Sequence, residues 1–145
     1  MKKSNNLSIL AFILFIKVFF LGPLYAQTQG QIFKGHLVNT EENIHIQLDL
    51  YEASLHVPNM EFIGKVHGYM YGNIYGVWLL TKYRIKENTA ILRFSHDSGA
   101  DSQTIELTSI NDSTIFYKAI DGNTIRKVHK RKLVKIPNVL KFSKE

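Results

Sequence analysis

Between positions 44 and 51 every second residue is aliphatic (Ile44, Ile46, Leu48, Leu50), and the residues between them, His45, Gln47, Asp49 and Tyr51, are polar or aromatic. Side chains alternate across a strand, so this period of two predicts a strand with one face on a core and the other toward water, as in an antiparallel sheet. Comparable runs recur at 31–38, 60–71, 75–85, 89–95, 104–110, 114–120 and 125–136. The separating segments, 39–43, 57–59, 72–73, 86–88, 97–102, 111–113 and 121–123, are rich in the Gly, Asn, Asp, Ser and Pro that turns favour. No stretch carries a helical period, and no internal repeat is visible. About eight antiparallel strands with short links predict an all-β domain, an up-and-down barrel or a compact sandwich.

The Gly72-Asn73 pair fits a two-residue hairpin connection. It would set Tyr71 opposite Ile74, Tyr69 opposite Gly76 and His67 opposite Trp78. The expected core face then holds Phe62, Gly64, Val66, Gly68 and Met70 beside Tyr75, Val77, Leu79 and Tyr83. The expected outer face holds Lys65, His67, Tyr69 and Tyr71 beside Gly76, Trp78, Leu80 and Lys82. His67, Tyr69, Tyr71 and Trp78 are therefore the candidate ligand-binding residues, because rings with polar tips can stack on a sugar, an apolar ligand or a partner protein. The same cross-strand pairs also serve a sheet that binds nothing.

Ahead of this pattern, Met1-Lys2-Lys3 precedes an apolar run from Leu7 to Leu21, and Gly22-Pro23 breaks it before the small Ala26. That is the layout of a signal peptide over 1–26, followed by a single antiparallel β-domain over 27–145. Lys17 interrupts the run, which falls short of the roughly 20 apolar residues of a spanning helix. An uncleaved anchor is the alternative; the mature form is expected to have no transmembrane span and to be exported, periplasmic or extracellular. With no cysteine in the chain, neither disulfides nor a lipid-modified N-terminal cysteine can contribute, and the domain must rest on its core. Removing 26 of 145 residues leaves 119, enough for one core.

The signal also alters the charge. The net +6 falls to +3 because Lys2, Lys3 and Lys17 leave without an acid. What remains is uneven: 124–145 holds eight basic residues against one acid, and 27–123 holds seven against eleven. The tail run 125–136 lacks a clean apolar face and reads as an edge strand, whose lysines discourage edge-to-edge pairing. Lys127, Lys130, Arg131 and Lys132 form a candidate surface for an anionic partner such as an acidic polysaccharide or a phospholipid surface; nucleic acid is not the expected one.

Catalytic chemistry finds little support. His45, Gln47 and Asp49 share a strand face, with His36 a candidate neighbour, but the spacing matches no metal signature, and neither metal nor cofactor is expected. The 95–102 loop gathers His96, hydroxyls and carboxylates, yet adjacency in sequence is not triad geometry, and a calcium-loop pattern is missing. With no phosphate loop or nucleophile elbow, no catalytic residue is assigned.

The segments 33–39, 97–101, 122–125 and 131–137 resemble a group of small exported proteins of Bacteroidota, over most of the mature chain. The resemblance implies a cell-envelope setting and brings no functional residues with it. Gly76-Val77-Trp78 is similar to the Gly-x-Trp motif of lipocalin-type barrels, but it falls on the fourth expected strand where that family has it on the first, so the likeness concerns architecture alone. The resulting expectation is a non-catalytic binding protein for a small ligand, glycan or protein. A protein inhibitor or immunity-type factor is one alternative, and a hydrolytic or metal-dependent enzyme is another.

Overall fold

Lys34–Asn39 (β1) and Ile44–Asp49 (β2) form an antiparallel hairpin whose faces follow the alternation in the sequence. Leu37, Ile44, Ile46 and Leu48 are buried, while His36, His45 and Gln47 on the opposite face are only partly covered. The computed structural model describes residues 30–145, so the expected signal segment lies outside the described residues. Leu55–His56 (β3) and Lys65–Val66 (β4) pair as a separate two-stranded ribbon around a 3-10 turn at Glu61–Ile63. Five strands follow: Gly68–Gly72 (β5), Trp78–Lys86 (β6), Thr89–His96 (β7), Ser102–Asn111 (β8) and Thr114–Ile120 (β9). Arg126–His129 (β10) and Lys132–Lys135 (β11) make a second separate ribbon, and Val139–Lys144 (β12) ends the order.

Eight of these strands close a barrel in the order β1-β12-β9-β8-β7-β6-β5-β2, every neighbour antiparallel. Once the two ribbons are set aside, each barrel strand pairs with the next along the chain and β12 returns to β1, so of the two expected architectures, barrel and sandwich, the fold is the up-and-down barrel. An eight-stranded barrel is just wide enough for side chains to fill it. Here Trp78, Phe94, Tyr117, Phe142 and Met70 pack with the inward aliphatics in one core. Each such side chain contributes roughly 1.5–3 kcal/mol on burial. Tyr117 brings a hydroxyl into this core with no hydrogen-bond partner, and burial raises its pKa.

Two expectations fail on register and connectivity. The β5–β6 pair sets Tyr69 opposite Leu79 and Met70 opposite Trp78, a slip of three residues from the two-residue hairpin. An odd slip exchanges faces. Trp78 therefore enters the core at 2% exposure, Leu79 faces outward, and Tyr75, expected inside, is 55% exposed. The cause is a longer loop, 73–77, in which Ile74 is buried and Gly76 takes a positive φ of 75°. Phe62, also expected inside, lies on the 3-10 turn at 84% exposure.

The second failure concerns the tail. The run 125–136 is not a single edge strand but the β10–β11 hairpin, turning at Lys130-Arg131. The strand that closes the barrel is β12, which pairs with β9 through Leu140 and Phe142 and with β1 at Leu37 and Val38.

Candidate functional site

The 73–77 loop, the 97–101 loop and the β10–β11 hairpin meet at one end of the barrel. Their positions are fixed by backbone hydrogen bonds: Tyr75 N–H donates to Arg126 C=O at 2.6 Å, Asp97 N–H to Val77 C=O at 2.9 Å and His96 N–H to Asp101 C=O at 2.9 Å. The approach to the hairpin is held from inside by the buried Gln103. Its Nε2 donates to Ile120 C=O at 2.9 Å and its Oε1 accepts from Thr124 N–H at 2.7 Å. Asn123 ties the hairpin's other leg through Nδ2 to Ile136 C=O at 2.6 Å.

Between these segments lies a cleft of about 380 Å³ lined by Tyr75, Trp78, His96, Ser98, Ala100, Asp101, Thr124, Arg126 and Leu133. The volume is within the range of small-molecule sites. Its aromatic wall is built on His96. Tyr75 lies parallel to the imidazole at a centroid separation of 5.4 Å and 18°, and Trp78 meets it edge-on at 5.3 Å and 87°. The Trp78 Nε1–H is spent on Tyr75 C=O at 3.1 Å, fixing the indole beneath the loop. Gly76 makes this arrangement available, because a Cβ there would stand 2.1 Å from His96 Nε2.

The same geometry decides what His96 can do. Its Nδ1 lies 2.7 Å from Ser98 Oγ, 3.0 Å from Asp97 Oδ1 and 3.0 Å from the Ser98 N–H. Nδ1 cannot serve both the Ser98 amide, which only donates, and the Asp97 carboxylate, which only accepts, so these contacts do not fix the tautomer, and Nε2 is buried against Gly76 without a partner. A Ser-His-Asp relay needs serine and aspartate on opposite ring nitrogens. Here both reach the same one, and the ring acts as a structural plate. In the same lining, Arg126 is exposed and, among the described residues, has no carboxylate within ion-pair distance. Among the described residues the cleft thus offers an aromatic shelf, the unpaired Arg126, the Ser98 hydroxyl, the Thr124 hydroxyl oxygen as an acceptor, its proton being donated to Ser102 C=O at 2.9 Å, and the Asp101 carboxylate.

The four residues singled out in the sequence divide. His67, Tyr69 and Tyr71 share the outer face of the sheet, whereas Trp78 points inward and reaches the end cleft, so the expected four-ring patch does not form. Tyr71 instead joins His36 and His45 from β1 and β2. The rings of His36 and His45 are nearly parallel at 11°, with Nε2 of one 3.0 Å from Nδ1 of the other. Their 5.2 Å centroid separation equals that contact plus two ring radii, so they meet edge to edge in a hydrogen bond. Glu145 takes the other nitrogen of His36 at 3.0 Å, and Asn43 Oδ1 takes that of His45 at 3.2 Å.

The neighbouring Tyr69 is buried. That burial, with the Tyr71 phenol beside it, raises its pKa. His67 is anchored by Nδ1 on Asp49 C=O at 2.9 Å. Among the described residues no three His, Cys, Asp or Glu side chains converge as a metal would require.

Of the basic tail residues, Lys127 is engaged by Glu42, while Lys130, Arg131 and Lys132 stand exposed at the hairpin turn. Tyr75, His96 and Arg126 were missed as a set because three loops distant in sequence bring them together. The one local signal was Gly76 beside two aromatic residues. No protein family, curated protein or solved structure matches the chain. Among the described residues no helix is long and apolar enough to cross a membrane.

Proposed function

We propose that the chain is an exported, non-catalytic binding protein of the cell envelope that takes a small ligand in the cleft at the barrel end. The observation that carries this reading is the exposed Tyr75 ring stacked on His96 in a cleft of about 380 Å³ whose lining also holds Arg126, which among the described residues has no carboxylate partner. Such a site suits a ligand with one flat or ring-shaped apolar face and one acidic group, a uronic acid or an aromatic carboxylate. The ring lies on Tyr75, the anion meets Arg126, and Ser98, Thr124 and Asp101 serve neighbouring hydroxyls. The export half of the proposal draws on the 1–26 signal pattern and on the likeness to small exported Bacteroidota proteins.

Trp78 is the only tryptophan and forms part of the cleft wall, so its emission reports on occupancy. Titration with glucuronate, galacturonate and benzoate derivatives should give saturable quenching for at least one of them, lost in Tyr75→Ala and weakened at least tenfold in Arg126→Gln. Emission indifferent to all of them, or a response unchanged in both variants, would refute the reading.

A further inference from the structure

The outer face of β6 and β7 carries positive charge that the fold does not neutralise. Beyond the bulge at Leu80/Lys82, Lys82 lies directly opposite Arg93, Arg84 opposite Ile91 and Lys86 opposite Thr89. All four basic side chains are exposed, and among the described residues none is within ion-pair distance of a carboxylate. Like charges directly across a strand pair are destabilising, so the Lys82–Arg93 pair is a cost the sheet carries. Arg93 is also held in place, donating to Ser102 Oγ at 2.6 Å and Thr104 Oγ1 at 3.4 Å.

Two hollows of about 440 and 180 Å³ adjoin on this face and share Arg84 and Ile91, which makes a groove along the strands. Acids near it are few: Glu106 on β8, opposite Ile91 on one side and Lys118 on the other, and Glu87 in the β6–β7 turn. On β6, Lys82, Arg84 and Lys86 recur at every second residue, a cation about every 6.7 Å along the groove.

We propose that this groove binds a linear polyanion, an acidic polysaccharide. A row of evenly spaced cations matches a chain of repeating anions better than any single small ligand. The hydroxyls of Ser102, Thr104 and Thr89 beside the cations suit sugar hydroxyls. Proteins that hold single-stranded nucleic acid add free aromatic rings on which bases stack. Here the one aromatic residue in the groove's lining, Tyr83, pairs with the buried Leu92 and so directs its ring to the other face of β6, where it meets His67 at a centroid distance of 5.0 Å. The site is separate from the end cleft and does not depend on it.

Fluorescein-labelled heparin, polygalacturonate, poly(dT) and duplex DNA, titrated into the protein, test the assignment by anisotropy. The polysaccharides should bind, with affinity falling on the order of tenfold between about 50 and 200 mM salt for some three ionic contacts. Lys82→Gln/Arg84→Gln/Lys86→Gln, all exposed and therefore compatible with folding, should lower that affinity about tenfold at unchanged Tm. Lys130→Gln/Arg131→Gln/Lys132→Gln and Tyr75→Ala should leave it within about twofold. The proposal is overturned if neither polysaccharide binds, if the groove variant binds as tightly as the parent, if the hairpin-turn variant is the one that loses binding, or if either nucleic acid binds more tightly than both polysaccharides.

Discussion

Replacing Gly76 by alanine is the sharpest single perturbation of the end cleft. Two costs combine. The residue has φ 75°, a left-handed conformation that costs an L side chain roughly 1–2 kcal/mol. In addition, the new Cβ would fall 2.1 Å from His96 Nε2, far inside contact, and the buried imidazole must leave its place. Its departure forfeits the Tyr75 and Trp78 ring contacts, about 1 kcal/mol, and the Ser98 hydrogen bonds, about 1 kcal/mol more. The total is about 3–4 kcal/mol, which lowers Tm by on the order of 10–20 °C in a domain of this size. Thermal unfolding followed by circular dichroism and by Trp78 emission measures it. Repeating the substitution in a His96→Ala background removes the collision and should leave only the backbone cost. The two single variants and the double variant therefore differ by a coupling of about 2 kcal/mol. A Gly76→Ala variant within about 0.5 kcal/mol of the parent, or one equally costly in both backgrounds, would refute the packing described for His96.

Other consequences can be checked independently. Burial works to raise the Asp49 pKa, but Ser54, Lys34 and the Glu52 and Tyr51 amides outweigh it and hold the carboxyl below its ordinary 3.8. With the folded value lowered, its stabilisation is complete above the unfolded value near ~3.9 and drains away as pH falls below that through the folded value. Asp49→Asn should cost about 2 kcal/mol at neutral pH and flatten the acid limb of a stability–pH curve. At the β10–β11 turn, Lys130 and Arg131 take φ 48° and 62°, where two-residue hairpins favour Asn-Gly. Lys130→Asn/Arg131→Gly should therefore stabilise the fold by about 1–2 kcal/mol, seen as a higher urea midpoint at constant m. Phe142→Ala opens the fully buried core of the closing strand and should cost about 3–5 kcal/mol in the same assay.

The antiparallel strands were legible in the sequence because alternation is a local property, whereas closure into a barrel was not, since a sandwich carries the same alternation. Ile44, Ile46 and Leu48 declare their faces without reference to any partner, and the runs that became β7, β8 and β9 do likewise. Register was not, because it depends on where a loop ends. Gly72-Asn73 has the composition of a two-residue turn, and only the burial of Ile74 against distant residues lengthens the loop and turns Trp78 inward. The last strand was hidden for another reason. Its inward residues are only Leu140 and Phe142, set among Lys141, Ser143 and Lys144, so its apolar signal is weaker than that of the hairpin before it. The candidate cleft needed both missing pieces, since Tyr75 comes from the lengthened loop, Trp78 from the strand whose register that loop sets, and Arg126 and Leu133 from a hairpin whose sequence reads as a single strand.

Binding in the end cleft has a dedicated reporter in the Trp78 indole N–H, because the chain has one tryptophan and that proton is fixed on Tyr75 C=O. An amide and indole chemical-shift map, recorded while uronic acids and aromatic carboxylates are added, tests that binding directly. At least one compound should move the indole resonance together with the amides of Tyr75, Ser98, Thr124 and Arg126, and leave β1 and β2 still. Shifts centred on His36, His45 and Tyr71 with the indole unmoved, or no shifts with any compound, would contradict it.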